Sequence, residues 1–254
     1  DGLTIGTTAW STVVVAPYFA RDPAIKYDLT KFNWIGTYAG NEPSFGVSAK
    51  SPYKSMADLQ KAKGLKFGSV GATNDWSMMA ATVIDLFGLD AVIIPGFGST
   101  AEIQLALSKG EIDGLAAEMS VLNDTVVKGW LKLPLVTLFT KRSAWYPDTP
   151  TLPELIKLTP EQQKLFDLIV KYFEAGKVFF APPGVDKERV EFLRRTSDKL
   201  QKDKNFTDMA KLRFYFMSPP LTGETVEEQV KALVAVPQET TTGLVKLLDK
   251  YVKK

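Results

Sequence analysis

What most constrains this chain is its punctuation. Short apolar runs alternate with longer amphipathic stretches, and Gly, Pro, Ser, Thr or Asn stands at almost every junction. Runs that short suit strands, and the longer stretches suit helices, so the alternation predicts α/β architecture. Strands are expected at Leu3–Thr8, Phe32–Ala39, Ser44–Ala49, Leu65–Val70, Ala91–Ile94, Ile112–Ala117, Leu133–Thr140 and Val178–Ala181, with a further short one at Phe214–Met217. Helices are expected at Ser11–Phe19, Ser55–Lys63, Trp76–Phe87, Ala101–Ser108, Val121–Lys128, Pro160–Ala175, Asp186–Leu200 and Asn205–Leu212. A helical C-terminus opens at Thr222 and is interrupted by Pro237. Ser55 followed by Asp58 has the form of a capping box, and Gly88 and Gly110 stand where helices close.

Composition narrows the chemistry. The 254 residues contain no His and no Cys. Nucleophilic machinery built on His or Cys is therefore excluded, as are His/Cys zinc sites, disulfides and redox pairs. Carboxylate or Ser/Lys mechanisms stay open. Lys and Arg number 31 against 29 Asp and Glu, and the slight basic excess near the C-terminus is interspersed with acids. No basic stripe marks a nucleic-acid partner. No apolar run approaches the ~18 residues of a membrane-spanning helix.

Two segments share one design: strand, Gly-containing loop, helix. They are Gly68 to Ser77 and Pro95 to Ala101. Glycines allow a close backbone approach. A helix start offers unpaired N–H groups at the positive end of the helix dipole. Hydroxyls at Ser69, Thr73, Ser77, Ser99 and Thr100 add donors, and the set suits a carboxylate. Either loop alone is more often plain helix capping; two in neighbouring βα units bring the site reading level with it. Neither is a P-loop or a GxGxxG turn. Glu111, Asp113 and Glu118 surround one strand and could be read as acid/base or metal ligands; the plainer reading is a solvated turn for Glu111 and an internal hydrogen bond for Asp113. Trp10, Trp76 and Phe97 fall at or beside loops. They could wall an aromatic or long apolar ligand, or simply be core.

The order of these segments resembles the solute-binding proteins of the tripartite tricarboxylate transporter family, the Bug-type periplasmic receptors. Asp1-Gly2-Leu3-Thr4-Ile5-Gly6-Thr7 resembles the family's "DGYTLLLGT", and Ser51 to Leu59 its "SPFKTLAEL". Lys66 to Gly71 resembles "NYGSAG", Pro95 to Ser99 "PYKGG", and Leu107 to Asp113 "LLGGQVD". Lys141 to Thr151 resembles "KRSPALPDVPT", and Ala181 to Val185 "APAGTP".

The resemblance implies a two-lobed, periplasmic binding protein-like (type II) α/β fold with the ligand in the cleft. It places residues 1–48 and 177–254 in one lobe and 49–176 in the other, with crossings near Ser44–Ala49 and Lys177–Ala181. It implies that ligand carboxylates are held by loop N–H and hydroxyl groups rather than by Arg. By position it assigns Thr7, Thr8 and Ala9; Ser69, Gly71, Ala72, Thr73 and Asn74; Phe97, Gly98, Ser99 and Thr100; and Glu118 and Ser120. Trp10 and Trp76 join these from the aromatic argument. A first strand, Gly-rich loop and helix of the family precede "DGYTLLLGT" and are expected to be missing here. Gly96-Phe97-Gly98 replaces Tyr-Lys-Gly, and Thr159 to Gly176 is longer and more helical than usual.

The function implied is an extracytoplasmic, periplasmic or membrane-tethered receptor for a di- or tricarboxylate or an aromatic acid. It would be a monomer that delivers its ligand to membrane permease subunits, with no catalytic residues, metal, cofactor or nucleic acid. A ligand-sensing accessory protein and an enzyme on the same fold are the alternatives.

Overall fold

The structure is a computed structural model that describes residues 3–11, 25–212 and 220–253. The expected helix Ser11–Phe19 and strand Phe214–Met217 fall almost wholly or wholly outside these residues. Among the described residues the strands are β1 (Gly6–Ala9), β2 (Asn33–Ala39), β3 (Pro43–Val47), β4 (Leu65–Gly68), β5 (Ala91–Ile94), β6 (Gly114–Glu118), β7 (Val136–Thr137) and β8 (Lys177–Ala181). The chain divides into two compact units, Asp1–Asn41 with Lys171–Thr241 and Glu42–Val170 with Thr242–Lys254.

The first unit is built on a three-stranded antiparallel sheet, ordered β1-β8-β2. Trp10 and Trp34 meet edge to face at 5.5 Å, and Phe180 lies 5.7 Å from Trp34. The helices Lys187–Lys202 and Gly223–Val234 pack on β2. Gly223 makes that approach possible: a Cβ there would lie 2.3 Å from the carbonyl oxygen of Trp34. The same oxygen accepts from Nε of Arg194 at 2.9 Å, and Arg194 pairs with Glu224 and Glu227.

The second unit holds a five-stranded sheet, ordered β5-β4-β6-β3-β7. β4 runs parallel to β5 and β6, and β3 runs antiparallel to β6 and β7. Phe45, Phe67, Ile93 and Leu115 are fully buried on it, with Met79, Val83 and Ile84 of the helix Asp75–Phe87. The division differs from the expected 1–48 with 177–254 and 49–176 for two physical reasons. β3 gives its hydrogen bonds to β6 and β7, so it belongs with them. The chain end also returns: Val252 bridges Ile93, Lys253 N donates to the Ile93 carbonyl, and Lys250 and Tyr251 both bond Asp85.

Most elements lie where the sequence placed them. The Ser55–Asp58 capping box is present, and Gly88 and Gly110 close their helices in the left-handed conformation. That first helix is only Met56–Leu59, shorter than the expected run to Lys63. The expected strand Leu133–Thr140 reduces to Val136–Thr137. Its neighbours meet β3 irregularly: Lys132, Leu135 and Leu138 donate to the carbonyls of Val47, Phe45 and Pro43. Pro134 has no N–H to give within that stretch.

Candidate functional site

On one edge of the second unit the carboxyl ends of the parallel strands β4 and β5 open into two loops, and β6 runs straight into the helix Met119–Val127. In α/β folds this edge is where ligands are usually received. The two loops are stitched together, since Ser69 N donates to the Ile94 carbonyl at 2.9 Å and Phe97 N to the Ser69 carbonyl at 3.4 Å.

The first loop separates into an inner and an outer layer. Ser69 and Ser77 are fully buried. Ser77 Oγ lies 2.9 Å from Ser69 Oγ and 2.6 Å from the Gly71 carbonyl, while Ser69 Oγ reaches Asn74 Oδ1 at 2.6 Å. Asn74 caps the helix Asp75–Phe87, its Oδ1 accepting from Ser77 N at 3.0 Å. These polar groups satisfy one another and hold the turn rigid. In the outer layer Ala72 and Thr73 are exposed, and Gly71 is half-buried. Among the described residues no protein acceptor takes their N–H groups, which sit before a 13-residue helix.

In the second loop Gly96 adopts a φ of 97°, a turn open to glycine, and Ser99 caps the helix Thr100–Lys109 by accepting from Glu102 N. Glu102 returns the bond: its carboxylate accepts from Gly98 N at 2.8 Å. The Gly98 amide is therefore committed to a side chain of its own helix. The amides of Ser99 and Thr100 are not bonded within the described residues.

Glu118 ends β6, half-buried, and accepts the indole N–H of Trp76 at 3.0 Å. Ser120 follows in the first turn of the helix Met119–Val127 and is half-buried. Three groups absent from the sequence reading join this edge. Glu42 stands before β3, whose first residue pairs with Glu118, and its carboxylate accepts from Ser143 Oγ at 2.6 Å. Trp145 and Tyr146 pack against the core that contains Trp76, beside Phe97. Tyr146 OH donates to Asn123 Oδ1 at 2.8 Å, and burial pushes its phenol pKa up, so it stays neutral. The edge thus mixes unbonded donors with the carboxylates of Glu42, Glu102 and Glu118.

A family comparison decides the kinship. The sequence model of the tripartite tricarboxylate transporter family receptor, TctC, matches residues 1–211. The chain belongs to that family. No curated protein matches it. Among solved structures, a TctC solute-binding protein from Polaromonas without ligand superposes with a TM-score of 0.71 at 18% identity, covering 97% of this chain and 78% of that one. MatC from Rhodopseudomonas palustris with bound malate gives 0.67 at 17%, covering 98% and 80%. A second R. palustris protein, with adipate, gives 0.67 at 18%, covering 96% and 77%. At these identities the likeness establishes the fold: the two-lobed α/β class of the TctC receptors.

Of the residues assigned by resemblance, this TctC-family chain brings Ser69 to Asn74, Phe97 to Thr100, and Glu118 with Ser120 to one edge. Thr7, Thr8 and Ala9 lie on β1 in the first unit, where Thr7 Oγ1 bonds Tyr38 OH at 3.2 Å. Two aromatic assignments are corrected. Trp10 is 1% exposed and Trp76 5%, so both are core residues, although each adjoins a loop in sequence. Ser69 and Asn74 are turned inward as the support of the loop, and Gly98 is occupied by Glu102. Glu111 is exposed and pairs with Lys109, while Asp113 accepts from Lys66 N at 2.8 Å. No group of three metal-ligating side chains converges among the described residues. No helix among them is long and apolar enough to cross a membrane.

Proposed function

We propose that this chain is an extracytoplasmic receptor that captures a small carboxylate and delivers it to the membrane subunits of a tripartite transporter. One observation carries the reading. Two stitched loops at adjoining helix starts offer amides with no acceptor among the described residues, at Gly71, Ala72 and Thr73 and at Ser99 and Thr100, with the Thr73, Ser99 and Thr100 hydroxyls beside them. Such groups hold an anion without a formal positive charge, because the amides are fixed in place and the helix dipoles add to their field. Family membership supports this, as do the malate and adipate complexes of the same fold.

Thr7, Thr8 and Ala9 are further proposed contacts of the ligand. With Trp10 and Trp76 buried, half-buried Phe97 is the one of the three aromatics left at the edge, and the ligand class is a di- or tricarboxylate or an aromatic acid. Glu118 and Glu42 favour a ligand that also presents a hydroxyl or another donor. Catalysis is no part of the reading, and neither is a cofactor or metal. The receptor acts as a monomer.

A ligand that binds only the native state raises the melting temperature. Melts of the full chain with a panel of mono-, di- and tricarboxylates, including malate and adipate, are expected to show at least one clear upward shift. A flat response across the panel would sink the proposal.

A further inference from the structure

The second unit has another concavity, on the β7 side of its sheet. It encloses about 730 Å³, within the range of small-molecule sites. It shares Trp145 and Tyr146 with the edge described above, but no residue of the two Gly-containing loops lines it. The segment running along β3 supplies Lys132 and Leu135, the short helix Met56–Leu59 supplies Met56, the loop beyond supplies Trp145 and Pro150, and the short helix Leu152–Leu155 supplies Leu155. Leu133 and Leu155 on its wall are 60% and 41% exposed and offer apolar surface to an occupant.

Its charges have one sign in excess. Lys54 and Lys132 face a single acid, Asp148. Lys132 is half-buried, and its ammonium donates to the carbonyls of Ser51 and Tyr53. An ammonium has three donors; the third is unused, and no carboxylate lies within ion-pairing distance of Lys132 among the described residues. The ammonium thus keeps a donor and a positive charge that an anion in the pocket can meet.

We propose that this pocket is a second ligand site, for an amphipathic monoanion. A single carboxylate would sit against Lys132, and an aliphatic chain would lie along Met56, Leu135, Trp145 and Leu155. The net charge of the lining, two lysines against one aspartate, matches one carboxylate and not two. The occupant is a free small molecule, and the inference stands apart from the loops of the proposed receptor site.

The test is calorimetric titration of the full chain with sodium octanoate. One octanoate per chain is expected. Lys132→Met and Leu155→Glu should each weaken it at least about tenfold, the first by removing a charged hydrogen-bond donor and the second by placing a like charge on the wall. Lys132→Arg, which keeps the charge, should stay within about threefold of the parent, and Thr73→Ala should leave octanoate binding as it was. If Lys132→Met fails to fold, as circular dichroism would show, the exposed position Leu155 decides the matter alone. No octanoate binding to the parent chain, or equal binding in Leu155→Glu, overturns the proposal.

Discussion

The bond from the Trp76 indole to Glu118, 3.0 Å long, ties the end of β6 to the first turn of the helix Asp75–Phe87. Trp76→Phe keeps a ring in the core but strips a half-buried carboxylate of a donor. It is expected to lower stability by roughly 1–3 kcal/mol, read by urea unfolding. Glu118→Gln keeps an acceptor for the indole and removes a charge. Affinity for a dicarboxylate should then rise severalfold, and a fall would show that Glu118 does not repel the ligand. Gly223→Ala places a methyl against the Trp34 carbonyl and should cost about 1–3 kcal/mol. At this scale the sequence is a partial guide. Trp76 and Glu118 could each be picked out, but not their pairing, because 42 positions separate them. Trp10 adjoins a loop in sequence yet is buried, since neighbourhood along the chain says little about which way a side chain turns. Glu42 and Ser143 gave no signal, because their bond exists only once β3 has docked beside β6.

The two Gly-containing loops show what an element can and cannot disclose. That each caps a helix was legible, because a cap is made by residues three positions apart. Which hydroxyls face inward was not. Ser69, Ser77 and Asn74 close an internal network, whereas Thr73 remains outside it. Asn74→Ala is therefore expected to lower the melting point through loss of about 1–2 kcal/mol of capping. The Leu133–Thr140 segment departs from its expected strand for a reason of its own. Its apolar pattern suits a strand, but Pro134 and uneven spacing against β3 leave only Val136 and Thr137 paired.

For the whole molecule, the α/β class was written in the alternation of short and long segments, and the kinship in the order of its motifs. The boundaries of the units were not, because β3 and the returning C-terminus choose partners far away in sequence. That return is pH-dependent. Burial resists the charge of Asp85, but bonds from Lys250 and Tyr251 outweigh it and hold its pKa below the ordinary carboxylate value. A depressed folded-state pKa gives stability that is present above the ordinary pKa and lost as pH falls through the folded value. Asp85→Asn should thus cost roughly 1 kcal/mol at pH 7 by urea unfolding, after allowance for screening, and almost nothing in strong acid.

The central claim is that loop amides and hydroxyls grip a carboxylate, and calorimetric titration tests it most directly. The carboxylate with the largest melting shift would be titrated into the parent chain and into the Thr73→Ala/Ser99→Ala pair. The account predicts affinity weaker by about 2 kcal/mol, near thirtyfold, in the double variant. It also predicts little change in the parent between pH 6 and 8, since no imidazole takes part. Unchanged affinity in the double variant would contradict it, and would show that the two loops do no more than cap their helices.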